Sequence, residues 1–277
     1  LSSIFTLILI MYSNEYRPDA GFYHIPYIQI LNENKIILGL ANIHSRFGHV
    51  SIIQYLSGFN YSIFSGQFST LIPLGSLISF LTIYFFYDLI KYIKNEEKLS
   101  LGKIFSLTVL IYIAYKINRY SEFGNDAPAH LMLLYLVSIY LYTTNLNFKN
   151  FYIICFFSVF AFTNKVFLGL SFLIPLYLLI KNLNFLNKII FSLPSFFLLI
   201  FILKNILVSG CAIYPVSSLC FKNLKWTDVE KTKIMEIEGE AWSKAWPQNK
   251  NNNIDMIEFN KDFNWLSAWK SVHLKYI

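Results

Sequence analysis

Residues 13 to 49 gather Glu15, Arg17, Asp19, His24, His44, Arg46 and His49 between two apolar stretches. Ionisable groups this dense beside a hydrophobic segment mark a functional site by default, because charge is costly near hydrocarbon. Asp19, followed by Tyr23 and His24, suits a general base. A partly desolvated carboxylate holds protons more readily and can take one from an acceptor hydroxyl or amine. The same Asp19 precedes an expected helix, where it would serve as an N-cap, and the two roles are compatible. The stretch Asn42-Ile43-His44-Ser45-Arg46 forms a second cluster. The planar fork of arginine matches phosphate oxygens, so Asn42, His44 and Arg46 suit a lipid phosphate or pyrophosphate; an arginine paired with lipid headgroups is the plainer alternative. Lys165, expected between two short helices, could contact the same anion or simply snorkel to the membrane surface. Asp126, two residues before Pro128, reads as an N-cap with proline in the first turn, or as a second catalytic carboxylate.

The elements that must carry these groups are apolar. The chain has 277 residues, 55% hydrophobic, 18% aromatic and only 14% charged. Long apolar runs recur along it, which predicts an all-α, polytopic transmembrane helical bundle with short interfacial helices in its outer-face loops. Residues 1 to 12 are shorter than the ~20 needed to cross a bilayer and are expected to be the tail of a truncated first span. Residues 21 to 31 read as a surface helix and 50 to 65 as a re-entrant or interfacial one. Full spans are expected at 68 to 90, 104 to 118, 128 to 142 and about 189 to 208, and Gly210 supplies a helix stop. Between 150 and 181, Asn164 and Lys165 interrupt what would otherwise be a helix ~45 Å long, so two short helices meeting there fit better. The expected organisation is a transmembrane domain over 1 to 208, with a first outer loop at 13 to 66, and a tryptophan-rich amphipathic outer-face loop over 209 to 277, beyond which the chain is expected to continue. All five tryptophans lie in that last stretch. Residues 228 to 246 show an apolar helix face, and the tryptophans read as membrane-interface anchors, with stacking on a sugar ring as the alternative.

Net charge is +7, but only three of the 23 basic residues are arginine, and no basic stripe with interleaved aromatics occurs. Nucleic acid is therefore not an expected partner. Cys155 reads as a small core residue, and Cys211 and Cys220 can pair if their loop lies in an oxidising compartment. No metal-ligand spacing such as HExxH or CxxC is present. The expected inner turns, 91 to 103, 145 to 150 and 181 to 188, carry seven lysines. That bias places the 13 to 66 loop outside, together with all five histidines, all three arginines and every aspartate except Asp88.

An acidic residue shortly before a tyrosine, then a surface helix and a polar cluster with histidine, resembles the GT-C superfamily of polyprenyl-phosphate-sugar-dependent membrane glycosyltransferases. Asp19 and Tyr23 match the first part; Asn42 to Arg46 stands where the protein mannosyltransferase and aminoarabinose transferase branches carry His-Pro-Pro-Leu. Ala20 replaces the second acidic residue of their Asp-Glu pair. The stretches Asp19 to His24 and Gly39 to Phe47, with Ser209-Gly210 and Tyr214-Pro215, look closer to GT-C-like bacterial membrane proteins. The resemblance implies a bacterial inner-membrane enzyme whose catalytic loops face the periplasm. It would transfer a sugar from a polyprenyl-phosphate donor to a glycan, lipid or protein acceptor, with the bilayer as a further partner. Asp19 would be catalytic, while Tyr23, His24, Asn42, His44, Arg46 and Lys165 would hold substrate or lipid phosphate. No cofactor is required, although a divalent metal is compatible. An O-antigen polymerase or ligase and a lipid-linked glycan flippase are the alternatives.

Overall fold

The computed structural model describes residues 4, 7, 8, 11, 12, 18–34, 36–49, 51–64, 66–94, 100–120, 123, 124, 126–143, 145–248 and 255–274. Glu15, Arg17, the side chain of Arg119 and the polar break at 249–253 lie outside the described residues. Among the described residues the chain is all-helical, with twelve α-helices and one isolated β-bridge at Cys211 and Cys220. A π-helical turn, Ala20–His24, leads into α1 (Ile25–Glu33), and α2 (Ile52–Phe64) and α3 (Ile72–Lys94) follow. Next come α4 (Leu101–Tyr120), α5 (Asp126–Tyr142) and α6 (Phe148–Asn164). A 3-10 segment, Val166–Phe172, continues into α7 (Leu173–Lys181), then α8 (Leu186–Ile190) and α9 (Leu193–Ser209). The C-terminal helices are α10 (Val229–Ser243), α11 (Met256–Asn260) and α12 (Leu266–His273).

The helix spanning Phe68–Lys94 is long and apolar enough to cross a membrane. The apolar helices α6 and α9 are shorter, and Val166–Lys181 meets Leu183–Ile190 at a bend of 111°. The interruption expected at Asn164 and Lys165 is present, because α6 ends at Asn164 and Lys165 is extended, with φ −153°. Asn164 caps that end by donating its side-chain N–H to the Phe160 carbonyl at 2.8 Å. The opposite end of α6 is set by Asn147, whose side chain accepts from the Asn150 N–H, satisfying a backbone donor that lacks an intrahelical partner.

The chain forms two compact units, Leu1–Ile36 with Val50–Phe201, and Ile37–His49 with Ile202–Ile277. This departs from the expected boundary at 208, since part of the first outer loop belongs with the C-terminal residues. In the first unit, α3, α4, α5 and α6 share a core built on Ile78, Leu81, Phe85, Val109, Leu131 and Met132. Edge-to-face rings extend it, with Tyr84 and Phe157 standing 5.0 and 4.9 Å from Tyr135. At one end of these helices Asp88 accepts from Lys103 Nζ (2.7 Å), Ser106 Oγ (2.7 Å) and Tyr142 OH (2.6 Å), tying α3 to α4 and α5. Gly102 lets the Tyr142 ring approach so closely that a Cβ there would lie 2.6 Å from it.

In the second unit the C-terminal helices pack through Ala241, Phe259 and Ala268, with Trp246 and Trp265 against them. Trp246 stands edge-on to Phe259 at 4.9 Å, while Trp242 is 54% exposed. A half-exposed indole offers only one face to a core, so the buried small residues Ala241 and Ala245 carry the packing on this helix side.

Candidate functional site

Asp19 lies one residue before the π-helical turn, exposed, and its side chain makes no capping hydrogen bond. Its backbone is already helical, with φ −59° and ψ −28°, whereas an N-cap residue leaves the helical region so that its side chain can turn back. Four residues on, Tyr23 is half-buried and its ring stands 4.3 Å from that of His24. His24 points the other way, into the unit: it is 7% exposed and its Nδ1 accepts from Gln54 Nε2 at 2.9 Å. Gln54 Oε1 in turn accepts from the Ser51 N–H, so the histidine joins the start of α2 to the turn. The adjacent Tyr27 and Tyr55 share a hydroxyl contact of 3.1 Å, and burial raises both phenols above their ordinary pKa. The turn therefore has an exposed edge, Asp19, and an anchored edge, His24.

Asp126, expected as an N-cap or a second catalytic carboxylate, and Lys165, expected as an anion ligand or a snorkelling lysine, are joined in an ion pair. Asp126 opens α5, and Lys165 is the extended residue between α6 and the 3-10 segment, so the pair ties a helix start to a helix break. Lys165 Nζ also stands 5.3 Å from the centre of the Phe167 ring. Both side chains remain about one-third exposed.

The second unit gathers the Asn42 cluster. Gly39, at φ +68°, turns the chain into a short 3-10 helix, Leu40–Asn42, and donates its N–H to the Leu207 carbonyl at 2.9 Å. A Cβ on Gly39 would meet that of Trp226 at 2.8 Å. Asn42 Nδ2 donates to the Trp226 carbonyl at 2.7 Å, and Lys231 Nζ donates to the Asn42 carbonyl. Trp226 Nε1 completes the attachment by donating to the Ile206 carbonyl at 2.9 Å. Asn42 is thus a fastener of the loop, its amide already used.

A second 3-10 turn, Ser45–His49, follows. His44 Nδ1 accepts from the Arg46 N–H at 3.2 Å, while Phe47 and Gly48 are buried. Gly48 lies against Tyr214 so closely that a Cβ would fall 2.5 Å from the ring, and His49 stands edge-on to that ring at 5.1 Å. Burial pushes the Tyr214 phenol up to about 12; Arg46 opposes that rise and Glu238 adds to it. Residues 42 to 46 thus carry an exposed guanidinium and a half-buried imidazole, and the Lys231 ammonium from α10 is bonded to the carbonyl at their start. Tyr214, Trp226 and Lys231 were absent from the sequence candidates for this cluster, and the Tyr214-Pro215 pair, joined by a cis peptide, was the one local signal of them. Behind them, Cys211 and Cys220 are joined in a disulfide. Among the described residues no three His, Cys, Asp or Glu side chains are gathered as a metal site.

Fold and site together define an all-helical chain with an apolar helical unit and a second unit that displays a fastened cationic turn. The chain belongs to the family described as Domain of unknown function (DUF8201), which it matches over residues 1–276. No curated protein and no solved structure matches it.

Proposed function

We propose that this chain is an integral membrane glycosyltransferase of GT-C type, moving a sugar from a polyprenyl phosphate to an acceptor at the outer face of a bacterial inner membrane. The carrying observation is the turn at residues 42 to 46, where Arg46, and Lys231 bonded to the Asn42 carbonyl, bring positive charge beside the His44 imidazole on backbone held by Gly39, Asn42 and Gly48. In the reaction, the acceptor oxygen forms a bond to the anomeric carbon while the bond from that carbon to the phosphate oxygen breaks. The electron pair leaves with the polyprenyl phosphate, and the acceptor proton passes to a general base, a role for which Asp19 is the candidate from the sequence. Arg46 and His44 would stabilise charge developing on the leaving phosphate, and preorganised donors do this without reorganising at the moment of reaction. Lys165 is engaged by Asp126, so its part and that of Asp126 would be to fix the α5 start against the α6 break.

Membrane placement is supported by apolar side chains on the outer faces of helices whose inner faces already form a core: Phe80 and Phe86 on α3, Ile111 on α4, and Leu199 and Leu203 on α9 are each at least half exposed. An outer-face position for the second unit is supported by the Cys211–Cys220 disulfide, since such bonds persist in oxidising compartments. The test is to complement a deletion strain with wild type, Asp19→Asn or Arg46→Gln at matched membrane levels, and to compare envelope glycans. Both variants should resemble the deletion; restoration of wild-type glycans by Asp19→Asn would remove the transferase assignment.

A further inference from the structure

A cavity of about 360 Å³ lies within the first unit, walled by α6, the 3-10 segment, α7, α8 and α9. It is large enough for a ligand, in a range of roughly 300 to 1,000 Å³, and its lining is apolar apart from Ser195 and Cys155. Along α6 the lining runs from Phe151 to Val159, about 12 Å at 1.5 Å per residue. A slot of this shape and chemistry suits a hydrocarbon chain.

One end of the slot is marked by charge. Leu179 and Ile189 line that end with Phe151, and each has a lysine beside it in sequence: Lys181 closes α7 and Lys188 precedes Ile189. Lys188 Nζ stands 5.6 Å from the ring of Phe148, the first residue of α6, and Lys181 Nζ stands 4.4 Å from the ring of Tyr177. The 111° bend between α7 and the segment Leu183–Ile190 occurs at the same end, where the chain turns from running along the slot to running across it. No Asp or Glu occurs anywhere between Asp126 and Asp228, so this stretch carries its cations without carboxylates of its own.

We propose that the slot seats one acyl chain of an anionic phospholipid of the inner leaflet, with Lys181 and Lys188 at the level of its headgroup. A lipid tail is already in an apolar solvent inside a bilayer, so entry into an apolar slot contributes little selectivity. Selection falls to the two lysines, which attract anionic headgroups and carry their charge on chains long enough to reach the surface. This rests on the membrane part of the proposed function and on none of its transferase chemistry. Retention of the chain in carbonate-washed membranes tests that membrane part separately.

Native mass spectrometry of the full chain, released from detergent with dioleoyl phosphatidylglycerol or dioleoyl phosphatidylcholine, measures the site directly. Phosphatidylglycerol should bind about tenfold tighter, the scale expected of two lysines near an anionic surface. Lys181→Gln with Lys188→Gln should reduce the preference to within about twofold, and Leu198→Trp, which fills the slot, should lose both lipids. Equal binding of the two lipids, an unchanged preference in the lysine variant, or undiminished binding of both lipids by Leu198→Trp would each overturn the proposal.

Discussion

The two units hold their polar groups by opposite means. In the first, a carboxylate is buried among regular helices: Asp88, with 15% of its side chain exposed, is surrounded by donors from Lys103, Ser106 and Tyr142. In the second, the polar turn is irregular backbone pressed against other backbone, and close approach at Gly39, Gly48 and Gly210 does the holding. Helices satisfy their own backbone groups, so a helical unit needs side-chain bonds only to set how its helices meet. A loop has no such ladder, and must be fixed by contacts in which a missing Cβ is essential or by a covalent bond. The candidate phosphate cluster therefore depends on glycines and a disulfide, while the apolar helices depend on charge pairing at one end.

Gly210→Ala should separate the two mechanisms most sharply. Gly210 is at φ +78°, and a Cβ there would lie 1.8 Å from Thr227 Oγ1. A loss of about 4 kcal/mol or more is expected from the left-handed backbone and the overlap together, read by thermal unfolding in detergent. Gly239→Ala is the control: it sits within α10 with nothing inside 4 Å of a new Cβ, and should gain about 0.5–1 kcal/mol. Next in size, Asp88→Ala should cost the first unit about 3 kcal/mol, because Lys103 would keep a buried charge without its carboxylate; Asp88→Asn should cost less. Replacing Cys211 and Cys220 by serine should cost about 2.5 kcal/mol from the unfolded-chain entropy of a short loop, with no effect on the melting of helices in the first unit.

The smallest effect concerns pH. Burial favours the neutral Tyr214 phenol, whose folded pKa of about 12 lies above the ordinary 10.0. Its contribution to stability is complete below pH 10 and is lost as pH rises through about 12. The tyrosinate absorbance of wild type and Tyr214→Phe should coincide up to pH 10 and differ by one residue near 12. A difference that develops at 10 would show that the Gly48 contact leaves the ring open to solvent.

Helix positions were legible because apolar runs bounded by lysine or asparagine repeat along the chain: α3 and α5 fall on expected stretches, and the break at Asn164 and Lys165 appears where an uninterrupted helix would be too long. A helix was visible in the spacing of residues 21 to 31, but it runs over Ile25–Glu33, and the π-turn Ala20–His24 that takes up the first part of that stretch carries no composition signal. Partnerships were not legible. Asp126 and Lys165 are 39 positions apart, and neither residue type nor spacing names the other. The Asp88 cluster is assembled from three helices, so its serine and tyrosine look like ordinary span residues in a linear reading. Asn42 looked like a ligand because its neighbours are cationic; only the position of the Trp226 carbonyl reveals that its amide is occupied. The tryptophan contacts were not legible for a related reason, since amphipathic composition is the same whether the apolar face meets lipid or other helices.

The bonds that fasten the 42 to 46 turn span 184 residues between Asn42 and Trp226 and 189 between Asn42 and Lys231. At a synthesis rate of roughly 5–20 residues per second, the loop waits about 10–40 s for its partners to emerge from the ribosome. During that interval the whole apolar helical region is made while Trp226 and Lys231, to which the loop is fastened, are still missing. Order in the cationic turn is thus a late product of translation, and a chain halted before Trp226 can complete the helices up to Ser209 yet never fasten that turn.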